Sequence, residues 1–151
     1  MRKQTIGVIG GRVCNKEVEQ LAHKIGEIIA NVGAILVCGG FGGVMEAACK
    51  GAKSAKGETL GILSTYNKEN ANKYCDIVIP TGLGLARNVL VVQSADIIIA
   101  LPGKYGTLSE IAFALQFSKP VISFNSWDIK GVIKVENIQD VERKLKELLK
   151  K

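Results

Sequence analysis

The sequence predicts an α/β protein in which helices cover both faces of a mostly parallel sheet of about six or seven strands, giving three layers. Apolar runs alternate with helical patterns along the whole chain, as in repeated βαβ units. The run Ile97–Leu101 is apolar throughout, which is typical of a strand covered on both faces. A length of 151 residues suits one domain, so we predict a single domain over residues 1–151.

Seven runs rich in Val, Ile and Leu are predicted to form the strands. Gly10 and Gly11 end the first of them, and Pro80 closes the fourth because proline cannot donate to a central ladder. The predicted strands are Thr5–Ile9, Ala34–Cys38, Thr59–Leu63, Ile77–Ile79, Asp96–Leu101, Val121–Phe124 and, at one edge, Val132–Lys134.

Five segments, four between these strands and one after the last, are predicted to be helices. The first has Asn15 as a candidate N-cap and Gly33 as its stop signal. The segment 64–73, which follows the third strand, is polar. The predicted helices are Glu17–Val32, Val44–Ala55, Leu85–Ser94, Leu108–Phe117 and Ile138–Leu149.

The net charge of +6 is concentrated near the chain ends and does not indicate a binding face. Arg2 and Lys3 contribute two positive charges, and residues 141–151 contribute a net three. The residues between them carry a net charge of only one. We therefore expect no nucleic-acid partner.

No segment resembles a signal peptide or approaches the roughly 20 apolar residues of a membrane helix, so we expect a cytoplasmic protein without a membrane partner. Cys14, Cys38, Cys49 and Cys75 are far apart in the sequence and form no Cys-x-x-Cys pair. This spacing predicts buried, reduced thiols and no metal site. The one histidine, His23, lies in the first helix away from the glycine turns, which argues against Ser–His and Cys–His catalysis.

Three glycine-rich turns lead from a strand towards the next helix. Glycine lets an anion approach the backbone, and a helix start offers unpaired N–H groups. The turns are expected to meet at the carboxyl edge of the sheet around an anionic ligand, although each alone is also explained as a tight turn. Neither the G-x-G-x-x-G nor the Walker pattern is present, which disfavours NAD and ordinary ATP hydrolysis. The candidate glycines of the first two turns are Gly10, Gly11, Gly39, Gly40, Gly42 and Gly43.

The third turn is the strongest candidate for holding a phosphate. Thr107 and Glu110 also have the spacing of a capping box, in which both side chains satisfy N–H groups at a helix start, so the pair has a purely structural explanation as well. Lys104 is either within reach of a phosphate or a solvated loop lysine. The candidate ligand-binding residues of this turn are Pro102, Gly103, Lys104, Tyr105, Gly106 and Thr107.

Arg87 is predicted in the first turn of its helix, where the helix dipole disfavours a cation by roughly 0.3–1 kcal/mol. An anion or a carboxylate in the cleft would offset this cost, whereas an exposed arginine without a role is the alternative. The helix leads into the strand that ends near Pro102, so both motifs are expected at the same edge. We predict Arg87 and the adjacent Asn88 as ligand-binding residues.

The segment Pro102–Glu110 resembles the signature Pro-Gly-Gly-x-Gly-Thr-x-x-Glu of the Lonely Guy superfamily, once described as possible lysine decarboxylases. Lys104 stands where that signature has its second glycine. The stretches Gly39–Ala48 and Thr81–Asn88 are more similar to the branch that contains the molybdenum cofactor carrier proteins. The resemblance covers residues 5 to about 125. It implies a Rossmann-like fold and a homodimer or higher homo-oligomer, and it does not imply a PLP-dependent decarboxylase.

The resemblance implies two alternative functions. Enzymes of the hydrolase branch split a nucleoside 5′-monophosphate into free base and ribose 5-phosphate, and there Glu110 would stabilise the cationic sugar while Arg87 orients the ligand. Those hydrolases have Arg-Lys where this chain has Arg87 and Asn88, and Lys104 departs from their phosphate loop. The carrier branch needs only to bind a phosphorylated pterin. We therefore predict a carrier of a nucleotide or molybdopterin-type cargo that requires no cofactor, with a phosphoribohydrolase as the alternative.

Overall fold

The computed structural model describes residues 1–151 as seven strands and five α-helices. The strands are β1 (Thr5–Ile9), β2 (Ile35–Cys38), β3 (Glu58–Leu63), β4 (Ile77–Pro80), β5 (Ile97–Ala100), β6 (Val121–Phe124) and β7 (Ile133–Val135). The helices are α1 (Lys16–Asn31), α2 (Val44–Ser54), α3 (Arg87–Gln93), α4 (Tyr105–Gln116) and α5 (Ile138–Leu149).

All seven strands pair in parallel within one sheet, in the order β4-β3-β2-β1-β5-β6-β7. The chain starts at the central strand β1, builds outward to β4, and returns through α3 to β5 on the other side of β1. The strand order therefore reverses beside β1, and sheets of this type bind ligands in the crevice at such a point. The predicted three-layer Rossmann-like α/β fold is confirmed.

Each face of the sheet is covered by its own group of helices. Ile97 and Ile99 of β5 belong to the core formed with α1, α2 and α5. Ile98 and Ala100 belong to the core formed with α3 and α4 on the opposite face. This alternation explains why β5 lacks a polar face in the sequence. None of the helices combines the length and the apolar character needed to cross a membrane.

Helices α1 and α2 cross with their backbones in direct contact at two glycines. A Cβ atom on Gly26 would overlap the carbonyl group of Ala48, and one on Gly51 would overlap the carbonyl group of His23. Both glycines have ordinary helical φ angles, so no unusual backbone conformation explains them. Glycine is required at these two positions because the helix backbones lie so close together. The His23 side chain lies on the outer part of this crossing and pairs with Glu27, with Nδ1 and Oε1 2.9 Å apart.

The bounds of α1, α2 and α5 agree with the sequence prediction to within one residue, whereas α3 begins at Arg87 and not at the predicted Leu85. Asn15 caps α1 by accepting a hydrogen bond from the Val18 N–H at 2.9 Å, and Gly33, with φ at 78°, follows the end of that helix. The segment before α3 begins as a 3₁₀ turn at Gly84–Ala86. The predicted start of the fourth helix at Leu108 is wrong, because α4 begins at Tyr105.

Three of the four cysteines lie together despite their separation in the sequence. Cys38 ends β2, Cys49 lies in α2 and Cys75 lies just before β4, and their sulfur atoms are all within 4.8 Å of one another. The prediction that the thiols are buried holds for Cys38 and Cys49, but Cys14 and Cys75 are only half-buried. Spacing along the chain did not reveal the cluster because the parallel sheet brings these distant segments together.

Candidate functional site

A cavity of about 570 Å³ opens at the carboxyl ends of the strands, at the crevice beside β1. Its walls are the turns that follow β1, β2 and β5, together with the first residues of α3 and α4. Most of the sequence-predicted site residues therefore meet in one place. Those that line the cavity are Gly10, Gly11, Gly39, Arg87, Asn88, Pro102, Gly103, Lys104, Gly106, Thr107 and Glu110.

Four predicted ligand-binding residues lie outside this lining. Gly40, with φ at 80°, packs against β3. Gly42 and Gly43 form the turn into α2 beside the backbone of Arg12. Tyr105 is exposed, and its ring lies 6.0 Å from that of Trp127. These residues stay predictions as ligand contacts, and their positions favour a role in shaping the turns.

The turns that follow β1 and β5 are tied together at the base of the cavity. The Gly11 N–H donates to the Pro102 carbonyl at 2.8 Å. Gly103 lies where a Cβ atom would overlap the side chain of Thr107 and approach the Gly11 nitrogen to 2.9 Å. Only glycine fits at this position, because two backbone segments and a threonine side chain converge there.

Helix α4 directs its first turn at the cavity. A helix that begins at Tyr105 leaves the N–H groups of its first turn without intrahelical acceptors, and its N-cap residue, Lys104, provides no side-chain cap. The dipole of the helix adds partial positive charge at the same place. An anion in the cavity would meet this end of α4, with Gly106 and Thr107 nearest to the lining.

The capping-box interpretation of Thr107 and Glu110 is wrong. A capping box requires the threonine at the N-cap position, but α4 begins two residues before Thr107. Thr107 is buried against Gly103, and Glu110 is buried one turn further along the helix. The two side chains therefore face the cavity, and neither caps the helix.

We predict that Gly103→Ala lowers the free energy of unfolding by about 2 kcal/mol, as expected for overpacking at a close backbone contact. Gly106→Ala is the matched control, because its new Cβ would meet only the Asn88 amide, at 3.9 Å. Urea denaturation of both variants measures the difference. Equal stabilities of the two variants would contradict the packing described for Gly103.

Arg87 is anchored by carbonyl groups at the ends of two neighbouring strands. Its Nη1 donates to the Gly39 carbonyl at 2.6 Å and to the Ile62 carbonyl at 2.9 Å. The guanidinium also lies 5.4 Å from the centre of the Phe41 ring. These contacts offset the unfavourable position of a cation in the first turn of α3, so an exposed arginine without a role is excluded.

The remaining donors of Arg87 are left for another partner. Nε is buried and has no hydrogen-bond partner, and both of the arginine's hydrogen bonds to protein come from Nη1. Nε and the adjacent Nη2 form the edge of a guanidinium that binds a carboxylate or a phosphate with two parallel hydrogen bonds. A buried donor without a partner costs about 1–3 kcal/mol, and an anion that reached Nε would recover this cost.

Glu110 lines the same cavity as Arg87, close enough for their charges to interact. Burial raises the pKa of Glu110 to about 8, and the positive charge of Arg87 offsets only part of this effect. The side chain is therefore mostly protonated at neutral pH. Burial also lowers the pKa of Arg87. Arginine nevertheless stays charged, so the cavity carries net positive charge at this point.

Asn88 connects the two helices that approach the cavity. Its amide donates to the Ser109 hydroxyl at 3.2 Å, and that hydroxyl donates to the Gly106 carbonyl at 2.6 Å. Asn88 is buried, so these bonds fix α3 against the first turn of α4. Its predicted role in ligand binding stays a prediction, and its contacts here position Gly106.

Sequence reasoning missed several residues that line the cavity. Arg12 directly follows the first glycine turn, and its guanidinium lies 4.3 Å from the centre of the Phe41 ring. Extending that turn by one residue would have found it. Phe41, Met45 and Leu85 lie within the stretches Gly39–Ala48 and Thr81–Asn88 but were not singled out as site residues. The other missed lining residues belong to none of the glycine turns, and they include Val13, Cys14, Asn15 and Val18.

Solved structures of similar sequence support the likeness to cofactor-binding proteins. The chain is 37% identical to a molybdenum cofactor binding protein from Rippkaea orientalis, with a TM-score of 0.90 over 99% of both chains. It is 32% identical to the molybdenum cofactor carrier protein of Chlamydomonas reinhardtii, with a TM-score of 0.90 over 99% of this chain and 100% of that one.

Two sequence relatives extend the comparison. A protein of Archaeoglobus fulgidus is 48% identical over 123 residues, which cover 82% of this chain and 81% of the relative. A cytokinin riboside 5′-monophosphate phosphoribohydrolase of Mycobacterium tuberculosis is 29% identical over 120 residues, or 74% of this chain and 64% of the enzyme. The predicted resemblance to the Lonely Guy superfamily and its carrier branch is confirmed. Residues 3–150 match the SLOG cluster4 family, and the chain belongs to that family.

Proposed function

We propose that this protein binds a phosphorylated small molecule, of molybdopterin or nucleotide type, and carries it as cargo. The observation that carries the proposal is the guanidinium of Arg87, whose Nε and Nη2 bond no protein atom, at the cavity that also receives the first turn of α4. A phosphate between them would accept two hydrogen bonds from the guanidinium and others from backbone N–H groups. The similarity to molybdenum cofactor binding and carrier proteins supports the same class of ligand.

The protonated state of Glu110 favours binding over catalysis. An ionised carboxylate beside a phosphate would repel it, whereas a neutral one offers a hydrogen bond. With a pKa of about 8, Glu110 supplies little negative charge at neutral pH. The cavity therefore accommodates an anion without a like charge opposite it, and Lys104 at its rim adds positive charge.

Calorimetric titration and native mass spectrometry with molybdopterin and a panel of nucleoside monophosphates test the proposal. We expect one ligand per chain, and we expect Arg87→Met to bind it about 10–100-fold more weakly, since a hydrogen bond to a charged group contributes about 1.5–3 kcal/mol. Arg143→Met is the control, because Arg143 is an exposed arginine of α5 that pairs with Asp140 and Glu147. Failure of the wild type to bind any of these ligands would overturn the proposal.

The second candidate function is hydrolysis of nucleoside 5′-monophosphates. Glu110 and Arg87 face the same cavity, and the mycobacterial phosphoribohydrolase is a relative at 29% identity. If Glu110 stabilises a cationic sugar as a carboxylate, release of free base from AMP should rise with pH through about 8 and disappear in Glu110→Gln. Absence of base release across this range leaves binding as the function.

We also propose that the protein forms a homodimer or a higher homo-oligomer. The edge strand β4, the turn after it and α3 carry exposed apolar side chains, which favours burial against another copy. Sedimentation velocity of the wild type and Leu85→Asp tests this, with dissociation expected for the variant. The exposed apolar residues of this surface are Ile77, Ile79, Leu83, Leu85 and Leu90.

A further inference from the structure

A cluster of three thiols lies behind the β2 turn, and the proposed carrier function does not use it. The sulfur atoms of Cys38, Cys49 and Cys75 are within 4.8 Å of one another, and those of Cys38 and Cys49 are 3.5 Å apart. Cys38 and Cys49 are fully buried, whereas Cys75 is half-buried and gives the cluster access to solvent. The fourth cysteine, Cys14, is not part of the group.

The separations match those of thiolates that share one metal ion. With metal–sulfur bonds of about 2.3 Å, three thiolates around one ion have sulfur atoms about 3.8–4.0 Å apart. The observed separations, between 3.5 and 4.8 Å, include this range. Small rotations of the side chains would therefore be enough to bring all three sulfur atoms into contact with one ion.

The backbone holds the three cysteines in place without relying on the thiols themselves. Asn72 fixes the segment that contains Cys75 to the β2 turn, since its N–H donates to the Gly40 carbonyl at 2.8 Å and its amide to the Phe41 carbonyl at 2.9 Å. Asp76, next to Cys75, is anchored to β3 by the Thr59 N–H at 3.0 Å. The cluster is thus formed before any ion arrives.

Two glycines adapt the surroundings to sulfur ligands. The Gly40 N–H points at the Cys38 sulfur at 3.3 Å, which is the kind of outer hydrogen bond that stabilises a metal-bound thiolate. Gly61 of β3 leaves space for Cys75, because a Cβ atom there would lie 2.8 Å from its sulfur. A side chain at Gly61 would displace the Cys75 sulfur from its present position.

We propose that Cys38, Cys49 and Cys75 bind one Cu⁺ ion in three-coordinate geometry. Thiolates select soft ions, with Cu⁺ and Zn²⁺ the main candidates. Zn²⁺ in structural sites takes four protein ligands, whereas this group contains three and no histidine or carboxylate. Cu⁺ is satisfied by three sulfur ligands. The thiol protons leave to solvent as the copper–sulfur bonds form, and no oxidation or reduction takes place.

Titration of the reduced protein with Cu⁺ under anaerobic conditions, against a competing chelator, tests the site. We expect one Cu⁺ per chain in the wild type and in Cys14→Ser, measured by native mass spectrometry and elemental analysis. Cys75→Ser should bind Cu⁺ more than about 100-fold more weakly, since loss of an outer-shell partner alone costs about 10–100-fold in metal affinity. Equal copper binding by Cys75→Ser and the wild type would overturn the proposal.

A second measurement uses only the wild type and so does not depend on how the variants fold. Cys75 is the accessible thiol of the cluster, and we expect iodoacetamide to modify it in the apoprotein but not after addition of Cu⁺. Modification of Cys75 at the same rate with and without Cu⁺ overturns the proposal. Tighter binding of Zn²⁺ than of Cu⁺, or recovery of a Cys38–Cys49 disulfide in place of a copper complex, also overturns it.

Discussion

Raising the pH from about 5 to about 8 is expected to destabilise the wild-type protein by several kcal/mol more than Glu110→Gln. Burial raises the pKa of Glu110 from 4.5 to about 8 in the folded state. Between these values the unfolded chain releases a proton that the folded protein keeps, so the free energy of unfolding falls by up to about 1.4 kcal/mol for each pH unit. Urea denaturation at pH 5, 6.5 and 8 measures this difference.

The sign of this effect follows from the neutral form of Glu110. Its contribution to stability is fully present below about pH 4.5 and is lost as the pH rises through about 8. Glutamine keeps the shape of the protonated side chain and does not titrate, so Glu110→Gln is the matched control. Parallel pH profiles of the two proteins would show that Glu110 is ionised in the folded state at neutral pH.

Gly51→Ala is expected to lower the free energy of unfolding by about 3 kcal/mol, at the upper end of the usual cost of overpacking. The new methyl group would overlap the carbonyl of His23, and the two helices cannot separate without disturbing the core beneath them. Alanine is a better helix former than glycine by up to about 1 kcal/mol. Helix propensity alone therefore predicts that Gly51→Ala raises the free energy of unfolding. Guanidinium denaturation followed by circular dichroism measures the change.

Lys50→Ala serves as the control for this helix, because Lys50 is an exposed neighbour of Gly51. We expect its stability to stay within about 0.5 kcal/mol of the wild type. Gly26→Ala should behave like Gly51→Ala, since Gly26 faces the carbonyl of Ala48 across the same crossing. A stabilised Gly51→Ala would show that α1 and α2 are further apart than described.

Much of the fold could be predicted because its sequence signals are local. The bounds of β1, β6 and α5 agree with the prediction, since each lies between clear turn or capping residues. The start of α4 could not be predicted in the same way. Thr107 looks like a helix cap from its spacing to Glu110, but burial of both side chains at the cavity overrides that local preference.

The location of the candidate site could be predicted from the sequence, but the contacts that its residues make could not. The glycine turns and Arg87 follow from their positions at strand ends. The anchoring of Arg87 by the Gly39 and Ile62 carbonyls depends on the pairing of β2 with β3, which no local pattern encodes. The thiol cluster was missed for the same reason, because Cys38 and Cys75 meet only after the whole β2–β4 half of the sheet has formed.

The central position of β1 has a consequence for a chain that emerges gradually from a ribosome. Ile6 pairs with Leu36 on one side but with Ile97 on the other, so β1 has only one partner until most of the protein has been synthesised. A nascent chain that ends before β5 presents one side of its central strand as an unpaired, apolar edge, which invites aggregation. The Gly11 N–H also lacks its Pro102 acceptor at that stage. The cavity beside β1 is therefore complete only late in translation, at the moment when the exposed edge is also removed.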